Sequence, residues 1–275
     1  MPPADAPGFC KEICRFQRPK SGAVNAKTKS ILAFTIFISL TIIMRLPEIY
    51  GIIPSVRKEY GRIDTDALIL DVDGTLWDST GIVAKAWTRA CRETGFNDMT
   101  VFPDRLKGLF GKTMDEIALA LVPDADKSVR DALMERCVIY EQEALEEDPC
   151  EICYPNVIET IRKLAKRIPV TIVSNCQSGY IELFMRKTHL TEAEICDKEC
   201  FGDTGRGKAD NILSVMERNG FSKAYYVGDT EGDRIAVRQA GIGFISADYG
   251  FGDPEEADIR IDSFDRLLDL IQDGK

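Results

Sequence analysis

Short apolar runs alternate with stretches of helical spacing in the C-terminal part of this chain, and this alternation constrains the fold more than any other feature. Strands are predicted at residues 169–173, 199–202, 224–227, 241–245 and 258–261. Helices are predicted between and after them, at residues 156–167, 179–187, 209–219, 233–240 and 264–271. Strands that alternate with helices form βαβ units, which build parallel sheets. The sequence therefore predicts an α/β fold whose ligand crevice lies outside the carboxyl ends of the strands.

An earlier predicted strand, Ala67-Leu68-Ile69-Leu70, ends in the motif Asp71-Val-Asp73-Gly74-Thr75. Side chains two residues apart on a strand point the same way, so Asp71 and Asp73 are expected to face one crevice. Two neighbouring carboxylates are costly unless a cation, a proton or a set of donors compensates them. Taken alone, the motif fits a solvated turn as well as a functional site.

The residues between this motif and the next strand have helical spacing. Residues 82–90 predict one helix, residues 97–110 a connection, and Thr113 with Glu116 a capping box that starts a second helix. A third helix is predicted at residues 126–147. Its apolar face is predicted to consist of Val129, Leu133, Cys137, Tyr140 and Leu145. A bundle of this kind, inserted at a strand end, would lie over the crevice that contains Asp71.

The chain accordingly divides into four parts. They are a disordered basic extension at residues 1–30, an apolar segment and linker at residues 31–60, an α/β core at residues 61–81 and 149–275, and a helical insert at residues 82–148.

The apolar segment contains an uncharged run at residues 31–44. These fourteen residues fall short of the roughly 20 that span a bilayer as a helix. Three interpretations fit the run: a membrane anchor, a cleaved signal peptide, or an extension upstream of a protein that begins at Met44. The third is favoured because Met44 lies shortly before the first core strand. We therefore expect a cytoplasmic protein, with anchoring to a membrane through residues 31–44 as the alternative.

Charge and cysteine content narrow the class of protein. The formal net charge is -10, although residues 1–30 carry six Lys or Arg and only two acidic residues. An acidic body argues against nucleic-acid binding through phosphate contacts.

Nine cysteines in a chain of 275 residues favour reduced thiols. The close pairs are Cys10/Cys14, Cys150/Cys153 and Cys196/Cys200. They share no ligand spacing, so a structural zinc site is not favoured. No feature of the sequence indicates an oligomeric state.

Polar residues follow three of the predicted strands where the strands end, and a lysine opens a helix near them. In chain order they are Asp71 with Asp73, Ser174 with Asn175, Lys208, and Asp229 with Asp233. In a parallel sheet all of these positions belong to one edge. One acidic residue at a strand end is explained by chance, but four matched sites in order point to a common site.

These motifs together resemble the haloacid dehalogenase superfamily, in its phosphoglycolate-phosphatase-like branch with a helical cap. The resemblance covers residues 66–275 and implies a Rossmann-like, doubly wound parallel sheet with an inserted α-helical cap. It implies that Asp71 is the nucleophile, which forms an aspartyl-phosphate, and that Asp73 protonates the leaving oxygen and later activates water. Members that cleave carbon–halogen bonds lack the second Asp, so Asp73 favours phosphoryl transfer.

The chemistry of such a site calls for a divalent cation. A carboxylate attacks a dianionic phosphate poorly, and a cation screens the charges and polarises the phosphoryl group. Mg²⁺ prefers oxygen ligands, which Asp71, the backbone carbonyl of Asp73 and Asp229 can supply, with Asp233 as an auxiliary ligand. For Asp233, an ordinary acidic residue at a helix N-terminus is the alternative.

Phosphate binding is predicted for Gly74, Thr75, Ser174, Asn175 and Lys208. The Ser174 hydroxyl and nearby amides can donate to phosphoryl oxygens, while the Lys208 ammonium offsets their charge. Two alternatives stay open: Ser174 as a helix cap and Lys208 as a solvated lysine.

The substrate is expected to be a small phosphorylated metabolite, phosphoglycolate-like or a sugar phosphate. The stretch Gly108-Leu-Phe-Gly-Lys-Thr113 resembles a cap loop that reaches the leaving group in relatives, so Arg105 and Lys112 are candidate substrate residues. Solvated surface side chains are the alternative for both. Two other functions remain open: a sugar-phosphate mutase that uses the same intermediate, and a catalytically idle binding protein.

Overall fold

Six parallel strands form one sheet in the computed structural model, which describes residues 60–271. The strands are β1 (Ala67–Leu70), β2 (Val170–Ser174), β3 (Asp197–Cys200), β4 (Ala224–Gly228), β5 (Gly243–Ala247) and β6 (Ile259–Ile261). Their order across the sheet is β3-β2-β1-β4-β5-β6, and each neighbouring pair is parallel. The predicted α/β fold is confirmed. Because the strand order runs in opposite directions from β1, the crevice between β1 and β4 is the expected ligand site.

Helices cover both faces of the sheet. They are α1 (Thr80–Glu93), α2 (Pro103–Lys107), α3 (Met114–Leu121), α4 (Lys127–Glu147), α5 (Val157–Leu164), α6 (Tyr180–Thr188), α7 (Phe201–Thr204), α8 (Lys208–Asn219), α9 (Glu231–Ala240) and α10 (Leu267–Leu270). Apolar residues of α8 and α9 form the core on one face, and those of α5, α6 and α10 belong to the larger core on the other. Helices α1 to α4 all lie between β1 and β2 in the chain.

Strand β1 is buried on both faces, as the central strand of such a sheet must be. All four of its residues are fully buried. Leu68 and Leu70 pack into one core cluster, whereas Ala67 and Ile69 pack into the other. Because side chains pack on both faces, the carboxyl end of β1 and the Asp71 that follows it lie between two apolar layers.

The structure moves the boundaries of several predicted elements. Gly241 ends α9 with φ +73°, so the strand predicted from that residue begins only at Gly243. The strand predicted at residues 199–202 occupies Asp197–Cys200 instead, because the chain turns into α7 at Phe201. The connection predicted at residues 97–110 contains α2, which starts with proline at its first turn. The last predicted helix begins as a 3-10 turn at Phe264–Arg266.

The helical segment agrees with the sequence in its caps but not in every apolar position. Thr113 and Glu116 form the predicted capping box at the start of α3. On α4 the prediction that Val129 belongs to the buried face was wrong, since its side chain is 38% exposed. Burial along this helix begins only at Leu133, so the first turn extends beyond the residues that pack on it.

Two predictions fall on other parts of the chain. The disordered extension and the apolar run at residues 31–44 lie outside the described residues. Within residues 60–271, no helix has both the length and the apolar character needed to cross a membrane.

We expect Leu68→Ala to lower the free energy of unfolding by about 3 kcal/mol, because it leaves a cavity in the fully buried central strand. The matched control is Leu213→Ala on α8, where the leucine is 45% exposed and the loss should stay below about 1 kcal/mol. Urea denaturation of both variants measures the difference. Equal losses would contradict the position of β1 in the core.

Candidate active site

Polar side chains from β1, β2 and β4 meet at the carboxyl edge of the sheet. Asp71 follows β1, Ser174 ends β2, and Asp229 follows β4. All three are buried, with at most 5% of their surface exposed. The crevice between β1 and β4 therefore contains acidic groups that the apolar core excludes from water.

Lys208 is the cation of this site. Its ammonium lies 3.0 Å from Asp71 Oδ1 and 2.5 Å from Asp233 Oδ1, and all three side chains are buried. Burial alone would lower the pKa of Lys208, but the carboxylates of Asp233 and Asp71 outweigh it and raise the pKa. The lysine therefore stays charged and connects the start of the helix that it opens, α8, to the end of β1 and to the start of α9.

Asp71 is held in an environment that opposes its charge. Burial raises its pKa, and Asp233 adds to the effect, while Lys208 and the Ser174 hydroxyl favour the ionised form. Burial also raises the pKa of Asp229 well above its usual range, together with the charges of Asp233 and Asp71. A single ammonium does not compensate these carboxylates.

Asp73 follows the same strand as Asp71 but has a different environment. Its Oδ1 accepts hydrogen bonds from Ser79 Oγ at 2.6 Å, Tyr180 OH at 2.8 Å and Trp77 Nε1 at 3.0 Å. Burial raises the pKa of Asp73 to about 7, although the three donors oppose the shift. Near neutral pH this carboxyl group can therefore both give and accept a proton.

Asp229 is fixed by backbone that approaches it closely. Its Oδ2 accepts from the Phe251 amide at 2.7 Å, and its Oδ1 from Thr75 Oγ1 at 3.3 Å. Gly74 has φ +79°, and a Cβ on this residue would lie 2.2 Å from Asp229 Oδ2. Only glycine therefore fits at residue 74 while the Asp229 carboxylate stays in place.

Asp233 divides its two oxygens between separate tasks. Oδ1 pairs with Lys208, whereas Oδ2 accepts from the Thr230 amide and hydroxyl and from the Asp229 amide. With Thr230 it forms the capping box that starts α9. Asp233 thus acts as a helix-end residue and also belongs to the buried charge cluster.

The carboxylates fit a divalent cation. Asp71, Asp229 and Asp233 each offer an oxygen within 4.8 Å of the others, and all three are buried. When ionised, three carboxylates and the Lys208 ammonium leave two negative charges, which one divalent cation neutralises. An all-oxygen donor set of this kind suits Mg²⁺.

Gly74 and Thr75, which the sequence predicts to bind phosphate, make hydrogen bonds within the turn and to Asp229. The Gly74 amide donates to the Trp77 carbonyl, and the Thr75 amide donates to the Val72 carbonyl. The Thr75 hydroxyl donates to Asp229. These contacts shape the loop and support Asp229, and phosphate binding by Gly74 and Thr75 stays a prediction.

A small cavity separates the sheet edge from the helical segment. Asp71, Asp73, Ser174 and the loop after β2 line one side. The opposite side is lined by Trp87, Phe110, Gly111, Lys112, Met114, Ile117 and Glu141. Its volume is about 30 Å³, which leaves room for only a few water molecules. The helical segment is therefore closed over the carboxylates.

Asn175 joins the two sides of this cavity. Its Nδ2 donates to the Gly111 carbonyl at 2.8 Å. Its Oδ1 is buried and has no hydrogen-bond partner among the described residues. An unpaired buried acceptor is costly, so Asn175 Oδ1 is a group that a ligand or a water molecule would satisfy.

The two candidate substrate residues lie in different places. Lys112 lines the cavity, although its side chain is exposed. Arg105 is not among the lining residues. Its guanidinium donates to the carbonyls of Ala120 and Leu121 at the end of α3, a structural contact within the helical segment.

Several residues of the site were not predicted from the sequence. Tyr180 and Gln177 follow β2 and give no local signal of their role. Glu141 gave a signal that could have found it, since it lies four residues after Cys137, on the predicted apolar face of α4. An acidic residue at a buried position requires a partner, and its carboxylate accepts from Trp87 Nε1 and Gln177 Nε2.

Comparison with known proteins places these features in a family. The model of the haloacid dehalogenase-like hydrolases matches residues 68–247. A phosphoglycolate phosphatase from Vibrio vulnificus is 25% identical over 221 residues, which cover 74% of this chain and 95% of that protein. One from Agrobacterium fabrum is 28% identical over 221 residues, covering 72% and 89%.

Solved structures share the fold at lower identity. A crystal structure from Haemophilus somnus, described as a predicted phosphoglycolate phosphatase, superposes with a TM-score of 0.66 at 19% identity. The match covers 76% of this chain and 98% of that one. A haloacid dehalogenase-like family hydrolase from Streptococcus pneumoniae gives a TM-score of 0.64 at 18% identity, covering 74% and 96%.

We expect Gly74→Ala to weaken Mg²⁺ binding by about tenfold or more, because the added Cβ displaces the Asp229 carboxylate. Gly81→Ala is the matched control, since a Cβ at that residue of α1 meets no atom within 4 Å. Isothermal titration calorimetry measures both affinities. If Gly74→Ala binds Mg²⁺ as tightly as Gly81→Ala, Asp229 is not a ligand.

Proposed function

Because this chain belongs to the haloacid dehalogenase-like hydrolase family, we propose that it is a magnesium-dependent phosphatase that hydrolyses a small phosphate monoester. Family membership confirms the resemblance seen in the motifs and the hydrolase class that it implied. The proposal adds the metal, the substrate class and an aspartyl-phosphate on Asp71. The phosphoglycolate phosphatases among the relatives support phosphate monoesters as substrates.

One observation carries the proposal. Asp71 belongs to the buried cluster of three carboxylates and also lines the cavity under the helical segment, as does Asp73. A nucleophile beside a cation site and an acid–base group facing the same cavity are the parts that phosphoryl transfer through a carboxylate needs.

In the proposed reaction an oxygen of Asp71 attacks phosphorus while the bond from phosphorus to the leaving oxygen breaks. Asp73 gives its proton to that oxygen as the leaving group departs. The resulting Asp73 carboxylate then takes a proton from water, which attacks the phosphorus of the aspartyl-phosphate. This second step releases inorganic phosphate and restores the Asp71 carboxylate and the protonated Asp73.

The remaining groups of the site compensate the negative charge of the phosphoryl group and bind its oxygens. Mg²⁺, when bound by Asp71, Asp229 and Asp233, screens the negative charge between nucleophile and phosphate. The Lys208 ammonium, which lies 3.0 Å from Asp71, offsets charge on the phosphoryl group. We assign the phosphoryl oxygens to the Ser174 hydroxyl and the Asn175 side-chain amide, which both line the cavity.

The donors around Asp73 hold it in one orientation. Ser79, Tyr180 and Trp77 all donate to Oδ1, which leaves Oδ2 free of these three contacts. We propose that proton transfer uses Oδ2. A pKa near 7 serves both halves of the reaction, because the group must be protonated in the first and ionised in the second.

Two alternative functions are less well supported. The family model and the relatives are hydrolases, which favours hydrolysis over a sugar-phosphate mutase. An idle binding protein would not need Asp73 with its three donors beside the nucleophile.

We also propose that the protein is cytoplasmic, because the free thiols of the described cysteines would stay reduced there.

Asp71→Asn is expected to reduce hydrolysis of p-nitrophenyl phosphate in Mg²⁺ by about 10³-fold or more, since an amide cannot act as the nucleophile. Asp210→Asn, at an exposed residue of α8, is the matched control and should keep wild-type activity. Circular dichroism checks that both variants fold. Activity retained by folded Asp71→Asn would refute the proposed nucleophile.

A further inference from the structure

Glu141 is a buried carboxylate that the proposed reaction does not use. It lies on α4 with 3% of its surface exposed and lines the cavity opposite Asp71 and Asp73. Trp87 Nε1 donates to its Oε2 at 2.7 Å, and Gln177 Nε2 donates to its Oε1 at 2.9 Å. Each carboxylate oxygen can accept a second hydrogen bond, so Glu141 retains acceptor capacity within the cavity.

The charge of Glu141 has no ionic partner in the part of the chain that the structure describes. Both of its contacts are neutral donors. Burial raises its pKa to about 7, and the nearby Asp73 contributes to the shift. An additional hydrogen-bond donor would stabilise the ionised form of Glu141, and any further negative charge nearby would destabilise it.

Among residues 60–271, Lys112 is the only basic residue that lines the cavity. Its side chain is exposed, whereas Glu141 is buried. An exposed charge is screened by water and salt, while a buried one acts at close to full strength. Glu141 therefore dominates the electrostatic preference for the group that enters beside it.

We propose that Glu141 is a specificity-determining residue that selects a leaving group with a hydrogen-bond donor, a hydroxyl or an ammonium, and excludes one with a carboxylate. The inference rests on the proposed phosphatase function. The walls formed by Trp87, Phe110, Met114 and Ile117 pack on the carbon atoms of the leaving group.

The substrate inferred for this chain differs from phosphoglycolate, the substrate for which its relatives are named. Glycolate, the leaving group of phosphoglycolate, has a carboxylate, which would lie beside Asp73 and Glu141. Like charges placed together in a buried site cost enough to change specificity by an order of magnitude or more. A small polyol or amino-alcohol phosphate avoids this cost and gives Glu141 the donor that it lacks.

The test compares kcat/KM for glycerol 1-phosphate and 2-phosphoglycolate, with p-nitrophenyl phosphate as a reference substrate. Assays at about pH 8 keep Glu141 ionised. We expect wild type to prefer glycerol 1-phosphate by about tenfold or more. A preference for 2-phosphoglycolate, or none between the two, overturns the inference without any variant.

Glu141→Gln should reduce that preference by about tenfold or more, because it removes the charge and keeps the shape. The Gln177 amide can turn to accept from the new amide, which maintains the contact. Glu143→Gln, whose side chain is exposed on the same helix, is the matched control and should leave the preference unchanged. An unchanged preference in Glu141→Gln contradicts the proposal.

The reference substrate distinguishes this failure from failure of the phosphatase itself. Hydrolysis of p-nitrophenyl phosphate with no effect of Glu141 on the preference refutes only the specificity role. Absence of hydrolysis of all three monoesters by folded wild type in Mg²⁺ refutes the proposed function, and the inference with it.

Discussion

The ion pairs that Lys208 makes with Asp71 and Asp233 are the interaction on which the site depends. One buried ammonium joins the end of β1, the start of α8 and the start of α9. Burying these charges is unfavourable unless they are compensated, and one lysine does not balance three carboxylates. The apolar layers around β1 hold the carboxylates together despite their repulsion. The unbalanced charge is what makes the crevice suited to a divalent cation.

The surrounding backbone serves the same cluster. Gly74 adopts a left-handed conformation that leaves room for Asp229, and its amide donates to the Trp77 carbonyl within the turn. Asp233 caps α9 with one oxygen and holds Lys208 with the other. These contacts explain why a motif of small and acidic residues folds as a rigid support. The helical segment then closes the cavity from above, where Asn175 bonds to Gly111.

Local patterns were enough to predict much of this structure. The apolar run of β1, the strand-end acids and the helix-opening Lys208 each leave a signal within a few residues, and parallel topology brings them to one edge. The contacts of Asp73 with Tyr180 and of Glu141 with Trp87 could not be predicted, since they join residues 107 and 54 positions apart. The sequence also did not predict that the amides of Gly74 and Thr75 would donate to carbonyl groups within the turn. Val129 was misplaced because periodicity does not show where a helix leaves its packing neighbours.

The most direct test of the account is whether a phosphoryl group becomes attached to Asp71 during turnover. The enzyme, mixed with p-nitrophenyl phosphate and Mg²⁺, is quenched in acid at successive times, digested and analysed by mass spectrometry. We predict a peptide that contains residue 71 and carries the added mass of one phosphoryl group on that aspartate, rising and then decaying as substrate is consumed. Turnover with the phosphoryl group on another residue, or on none at every quench time, would contradict the account.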